Sequence, residues 1–244
     1  MKKIFILSMI AAVAIAFGCQ SCNNDDDSEN VSIANALVTA KTAADGTFYL
    51  QLDNTTTVLP TNISKSPFDG KQVRALTNIQ KVDAAHDGYT MAAKVNWIDS
   101  ILTKQLAPAT ADNVTAYGND PIEIVRDWVT IAEDGYLTLR FRTVWGGKGT
   151  THTINLVKSG DADAPYVLQL RHNAKGDTSG VLGDALVAFD LSSLPDTKDE
   201  TVTLTIKWMS FTGEKSTTFK YCSRKSGGAT QIPFTDALNN GLIK

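Results

Sequence analysis

The strongest constraint on the fold is an alternation of apolar and polar residues through the second half of the chain. In residues 201–208, every second residue from Val202 to Trp208 is apolar, and threonines or a lysine stand between them. The same alternation recurs in residues 136–142, 151–156 and 166–171. A period of two with one apolar face is typical of antiparallel strands that bury one side.

Turn signals separate these segments. Glycine-containing turns with Asp, Glu or Lys beside the glycine occur at residues 133–135, 145–149, 175–177 and 212–214. Such residues tolerate the positive φ angles of tight turns. Short strands at this spacing predict an all-β sandwich or barrel.

The first half of the chain is rich in β-strand signals but less regular. Candidate strands cover residues 47–53, 71–82 and 89–102, and the last could become helical between Trp97 and Gln105. A break rich in Pro, Gly and Asn follows at residues 107–120. We therefore predict two domains, residues 31–112 and 113–244.

The N-terminus predicts an export signal with a lipidated cysteine. Lys2 and Lys3 precede an uncharged, mostly apolar run of 14 residues, which suits a signal peptide. A membrane-spanning helix needs ~20 apolar residues, so this run is too short to span. Gly18 before Cys19 is similar to a bacterial lipobox. We expect residues 1–18 to be the signal peptide and Cys19 the lipidation site, with Cys22 as the alternative.

A joint role of Cys19 and Cys22 is not favoured. A redox pair predicts a strand before the motif and a helix at it, and a structural zinc site needs four ligands. Residues 19–30 instead form an acidic linker, with four acidic side chains between positions 22 and 30. Because like charges repel and bury nothing, this linker is a solvated spacer.

The charge of the mature chain excludes some partners. Removal of Lys2 and Lys3 leaves 21 of the 23 basic residues against 26 acidic ones, a net charge of −5. Nucleic-acid affinity depends largely on phosphate neutralisation. We therefore expect no nucleic-acid partner.

Few residues could support catalysis. His86, His152 and His172 are the only histidines, and no metalloprotease, serine-hydrolase or zinc spacing accompanies them. His152 falls on the apolar face of its strand, which predicts a core histidine. The glycine-rich residues 146–151 lack the spacing of a phosphate loop and predict a hairpin turn. We expect a protein that is not an enzyme and has no metal or cofactor.

Three residues are candidate ligand contacts. Trp145 stands at a strand end beside a glycine loop, where its ring could stack on a sugar or on a partner. Arg171 and His172 end another strand and could form a surface polar cluster. Tyr89 or Trp97 could also bind an oligomer on the first domain.

Several segments together resemble the NigD-like lipoproteins of Bacteroidetes. They include residues 120–122, 134–142, 152–157, 168–173, 189–194 and 204–208. The resemblance implies an N-terminal OB-like barrel over residues 31–112 and a C-terminal antiparallel β-sandwich over residues 113–244. It supplies no catalytic or binding residues to transfer.

The family is named after a protein proposed to confer immunity to a bacteriocin. The resemblance therefore implies an outer-membrane lipoprotein, surface-exposed or else periplasmic, that binds a protein such as a bacteriocin. Acidic tracts behind a lipidated cysteine are associated with surface transport in Bacteroidetes. The alternative is a glycan- or oligomer-binding module at the cell surface.

Overall fold

The computed structural model describes residues 33–223 apart from positions 54 and 148. The predicted signal peptide (1–18), the candidate lipidation sites Cys19 and Cys22, and the acidic linker (19–30) lie outside the described residues. In the part of the chain that is described, no helix is both long and apolar enough to cross a membrane.

The first five strands close into a barrel. They are β1 (Ala36–Thr42), β2 (Phe48–Gln51), β3 (Thr57–Pro60), β4 (Val73–Val82) and β5 (Met91–Ser100). Their order around the barrel is β1-β2-β3-β5-β4, with β3 and β5 parallel and the other pairs antiparallel. Phe48, Leu50 and Val58 fill the interior beside several alanines. The barrel is therefore a packed core.

The remaining elements build a sandwich of two sheets. They are β6 (Thr103–Gln105), α1 (Asn113–Tyr117), β7 (Glu123–Val125), β8 (Ile131–Glu133), β9 (Tyr136–Trp145), β10 (Thr153–Lys158), β11 (Val167–Asn173), β12 (Val181–Asp190), β13 (Val202–Ser210) and β14 (Gly213–Tyr221). One sheet has the order β10-β11-β13-β14, and the other has β6-β12-β9-β7 with β8 also paired to β9. Residues such as Phe141, Leu168 and Phe189 fill the space between the sheets.

The predicted all-β fold is confirmed, with a five-stranded OB-like barrel followed by a β-sandwich. Two pairs in the sandwich, β11 with β13 and β6 with β12, are nevertheless parallel. The β11–β13 pair is parallel because the intervening strand, β12, belongs to the opposite sheet. The alternative helix between Trp97 and Gln105 does not form, since β5 and β6 occupy that segment.

The strand β6 pairs with the sandwich although it precedes the predicted domain boundary. The sequence placed the boundary between residues 112 and 113, whereas β6 at Thr103–Gln105 already pairs with β12 of the sandwich. The break at residues 107–120 thus lies inside the second domain. A three-residue strand carries too little alternation to be recognised in sequence.

A buried ion pair joins the barrel to the sandwich. Arg74 of β4 is fully buried and pairs with Glu133 of β8 through Nη2. Its Nη1 donates to Thr39 Oγ1 at 2.9 Å and its Nε to Thr138 Oγ1 at 3.3 Å. Burial raises the pKa of Glu133, and the charge of Arg74 opposes that rise. An apolar cluster that includes Leu37, Leu76 and Leu186 surrounds the junction.

Candidate functional site

Three strands end in a polar cluster at one end of the sandwich. The inward positions of β9 run Leu137, Leu139, Phe141, Thr143 and Trp145, and those of β11 run Leu168, Leu170 and His172. His152 stands immediately before β10 and is fully buried. The inward-facing residues of these three segments therefore include an aromatic ring at the same end of the core: the indole of Trp145 and the imidazoles of His152 and His172.

The two histidines and Asp177 form a hydrogen-bonded chain. His152 Nδ1 lies 3.0 Å from His172 Nε2, and His152 Nε2 lies 3.3 Å from Asp177 Oδ2. Trp145 stacks on His152 with ring centroids 4.5 Å apart and planes inclined by 22°. The indole Nε1 donates to the Gly183 carbonyl at 2.9 Å. We call Trp145, His152, His172 and Asp177 the buried polar cluster.

The contacts of Asp177 assign one imidazole proton. Asp177 Oδ2 accepts a hydrogen bond from the Gly146 backbone N–H at 3.0 Å and also faces His152 Nε2. An acceptor in that position places a proton on His152 Nε2. Burial lowers the pKa of His172 to about 4, and the neighbouring His152 adds to the shift. At neutral pH His172 is therefore an uncharged imidazole.

Two glycines allow the backbone to approach this cluster. A Cβ on Gly146 would lie 1.8 Å from Asp177 Oδ1, and one on Gly118 would lie 2.5 Å from the His172 carbonyl oxygen. Gly118 also has a φ of +85°, which a side chain disfavours. The cluster is thus enclosed by segments in which any larger residue would force a displacement.

A cavity of about 190 Å³ opens next to the buried polar cluster. Its lining includes Asp120, Thr143, His172, Asp177 and Phe211. Asp120 Oδ2 accepts from the Ala174 N–H at 2.7 Å, and the Thr143 hydroxyl donates to the Pro121 carbonyl at 3.0 Å. We call this space the sandwich-end cavity. Its floor is polar and largely held by internal hydrogen bonds.

Two large apolar side chains, Val144 and Phe211, belong to the lining of the cavity. Phe211, on the turn between β13 and β14, is 45% exposed. Val144 also lines the cavity, and it pairs across the strands with Leu182, which is 62% exposed. We call the two large apolar residues that line the cavity, Val144 and Phe211, the apolar rim. Exposed apolar residues clustered beside a polar depression are typical of binding surfaces.

The structure brings together only part of the predicted site. The sequence suggested that Trp145 stacks on a ligand at the surface, whereas Trp145 is 4% exposed and stacks on His152. Its burial follows from the alternation of β9, which continues inward past Arg142. His172 is 1% exposed and lies in the cavity wall. Arg171 precedes His172 on the strand and therefore faces the opposite side of the sheet.

Sequence reasoning missed Asp177, Asp120 and Phe211. Asp177 lies within the turn signal at residues 175–177, but nothing in that signal pairs it with His152, 25 residues away. Phe211 lies in a turn, where an exposed aromatic residue has no periodic pattern. Among the described residues, no three acidic, cysteine or histidine side chains form a group that could hold a metal ion.

A closed OB barrel followed by a β-sandwich, with a cavity at the sandwich end, defines a class of two-domain all-β proteins. The chain belongs to the NigD-like family. Residues 37–101 match the NigD-like N-terminal OB domain, and residues 105–221 match the NigD-like C-terminal β-sandwich domain. The resemblance predicted from the sequence is confirmed.

Solved structures include similar proteins. One, from Parabacteroides distasonis ATCC 8503, carries a provisional toxin-related name and is 38% identical, with 78% of this chain and 94% of that one covered and a TM-score of 0.66. A Bacteroides vulgatus ATCC 8482 protein of unknown function is 21% identical. The match covers 87% of this chain and 100% of that one, with a TM-score of 0.64. A NigD-like immunity protein from Bacteroides caccae ATCC 43185 is 20% identical. The match covers 78% of this chain and 98% of that one, with a TM-score of 0.56. The latter two show the fold alone. No curated protein matches the chain.

Proposed function

We propose that this protein is a non-catalytic, lipid-anchored binding protein that recognises another protein, and that this recognition confers immunity to a bacteriocin. The observation that carries the proposal is the sandwich-end cavity, which combines an apolar rim with a preformed polar floor. The family name and the immunity protein of the same fold support the role.

The size of the cavity favours a protein partner over a small molecule. Small-molecule pockets usually measure ~300–1,000 Å³, whereas this cavity has about 190 Å³. It is better suited to one side chain inserted by a partner. Binding energy at protein interfaces is concentrated in a few such inserted side chains and in the apolar residues around them.

The chemistry of the cluster supports a role without catalysis. A general base works best when its pKa lies near the operating pH, whereas the pKa of His172 is lowered to about 4. The hydroxyl of Thr143, which also lines the cavity, donates to the Pro121 carbonyl and not toward His172. The histidine chain therefore suits a rigid floor better than a proton relay.

The N-terminal sequence supports attachment to the outer membrane, with the folded part facing the cell surface or the periplasm. Each buried acyl methylene contributes ~0.8 kcal/mol, and stable anchoring takes two signals, as dual acylation provides. Mass spectrometry of the mature N-terminal peptide tests this part. We expect the lipid on Cys19, and a lipid-free N-terminus would contradict the anchor.

Survival of a bacteriocin-sensitive strain tests the function. The strain expresses the wild-type chain, Phe211→Ser, or Thr218→Ala, a control at an exposed position on the outer face of β14. We expect the wild type and Thr218→Ala to protect equally and Phe211→Ser to protect less. Unchanged killing in the presence of the wild-type chain would count against immunity.

Glycan binding is the second candidate function, and it would involve Tyr49 and Tyr89 of the barrel instead of Trp145. Because Trp145 is buried, the remaining observation in its favour is the pair of partly exposed rings of Tyr49 and Tyr89, 5.4 Å apart on the barrel. Such rings can stack on sugars or other oligomers. A glycan array probed with the wild type and Tyr89→Ala tests it, and binding that Tyr89→Ala leaves unchanged would rule out this surface.

A further inference from the structure

Arg171 lines a second cavity, on the outer face of the β10-β11-β13-β14 sheet. This cavity has a volume of about 220 Å³, and its lining includes Asn119, Gln169, Arg171, Lys207 and Glu214. Since Arg171 and His172 are consecutive on β11, the outer cavity and the sandwich-end cavity lie on opposite sides of that strand. The two can therefore be perturbed separately.

The guanidinium of Arg171 is held by neutral oxygens. Nε and Nη2 donate to Gln169 Oε1 at 3.2 and 2.6 Å, and Nη1 donates to Asn119 Oδ1 at 2.5 Å. These three bonds use three of the five guanidinium N–H groups, so two have no acceptor within the described range. The amides fix the orientation of the guanidinium without neutralising its charge.

No carboxylate pairs with Arg171 within ion-pair distance in the described part of the chain. Hydrogen bonds from Thr115 lower the pKa of Asp112, and the charge of Arg171 adds to that shift. The Asp112 carboxylate, however, accepts hydrogen bonds from the backbone N–H groups of Val114 and Thr115 at the start of α1. Arg171 is therefore a preoriented cation without a direct ion-pair partner in the described range, and Asp112 is a counter-charge at longer range.

Lys207 adds a second positive charge to the same cavity. Lys207 of β13 is the register partner of Gln169 on β11, so its side chain stands beside the amide that holds Arg171. It is exposed and forms no ion pair with any described residue. Glu214 lines the cavity next to Met209, its partner on β13. The charged lining thus has one net positive charge, and Met209 contributes an apolar wall.

We infer that the outer cavity binds a carboxylate carried on a small, partly apolar group. Guanidinium groups form their strongest hydrogen bonds with carboxylates and phosphates, and the volume admits one sugar ring or one side chain. A uronic acid and an acidic peptide both offer this chemistry. The inference goes beyond the proposed function, because it concerns the other face of the sheet.

Titration of the ¹⁵N-labelled, mature protein with a diuronic acid and with a short acidic peptide tests the site. The methyl esters of both probes serve as neutral counterparts. The readout is the chemical shift of the Arg171 Nε–H and of the Gln169 and Asn119 side-chain amides. The test variants are Lys207→Met and Arg171→Lys. Lys207→Met alters an exposed side chain that makes no hydrogen bond or ion pair with a described residue. Arg171→Lys keeps the positive charge but loses the planar guanidinium and its paired N–H donors.

The matched control is Lys220→Met. Lys220 pairs with Thr203, four residues along β13 from Lys207, and thus lies ~13 Å away on the same outer face. We expect saturable chemical-shift changes of the wild-type protein with at least one acid probe. Lys207→Met should bind that probe about two- to five-fold more weakly, and Arg171→Lys should bind it at least ten-fold more weakly. The affinity of Lys220→Met should not change. The acid that binds identifies the source of the carboxylate.

Three results would overturn the inference. They are the absence of saturable shifts with either acid, equal binding of the acids and their esters, and a loss in Lys220→Met as large as that in Lys207→Met. The survival assay with Phe211→Ser does not depend on any of them.

Discussion

Acidification should destabilise this protein through His172, because the folded state disfavours the charged imidazole. The pKa of His172 is lowered from 6.5 to about 4, mainly by burial. Between these two pH values the unfolded chain binds more protons than the folded one. The stabilising contribution of the neutral histidine is therefore complete above pH 6.5 and is lost as the pH falls toward 4.

The magnitude follows from the two pKa values. With 6.5 in the unfolded chain and about 4 in the folded one, the linkage relation gives a loss of about 2 kcal/mol between pH 7 and pH 5, and of about 3 kcal/mol by pH 4. The range from pH 7 to pH 5 is the more informative one, since most carboxylates titrate below it.

Urea unfolding at pH 7, 6 and 5, followed by tryptophan fluorescence, measures this loss. His172→Gln keeps an amide that can donate to His152 but cannot take up a proton in this range. His86→Gln is the matched control, because His86 is exposed in a loop. We expect the wild type and His86→Gln to lose about 2 kcal/mol more than His172→Gln between pH 7 and pH 5. Equal losses in all three proteins would refute the reasoning.

Three further predictions concern packing and the rim. Gly146→Ala should lose about 1–3 kcal/mol in chemical denaturation, because its Cβ would meet Asp177 Oδ1 and the Ser179 backbone carbonyl; an unchanged unfolding midpoint would contradict this. Arg74→Met should cost about 3–5 kcal/mol in the same assay, since it leaves Glu133 buried without its partner. The double variant Arg74→Met/Glu133→Met should lose less, and an additive loss would argue against coupling. Phe211→Ser should change the melting temperature little, because Phe211 is nearly half exposed, so a large drop would show a structural role.

The fold could be predicted from the sequence wherever apolar and polar residues alternate along a strand. β9, β11 and β13 each show the alternation that antiparallel sheets produce, and the structure contains all three. β12 was not recognised, because Ala185–Phe189 is buried on both faces, against the core on one side and near the barrel on the other. Because apolar residues line both faces of this segment, no polar position marks its period.

The candidate site could be predicted only in part. His172 was chosen because it ends a strand, and it does line the sandwich-end cavity. The other members of the buried polar cluster are Trp145, His152 and Asp177. They lie in three separate segments, which the sheet register and the turn after β11 bring together. The sequence leaves a core position and a ligand-stacking position open for Trp145, because a glycine loop follows it, whereas in the structure the inward alternation of β9 continues to this last residue. The end of a strand in the sequence does not show whether its last side chain points into the core.

The central claim is that a partner protein binds at the sandwich-end cavity through the apolar rim. Calorimetric titration of the purified mature protein with the bacteriocin used in the survival assay tests this most directly. We predict saturable binding that Phe211→Ser weakens at least ten-fold, a loss of about 1.4 kcal/mol or more, and that Thr218→Ala leaves unchanged. Binding of equal affinity in all three proteins, or no binding to the wild type, would contradict it.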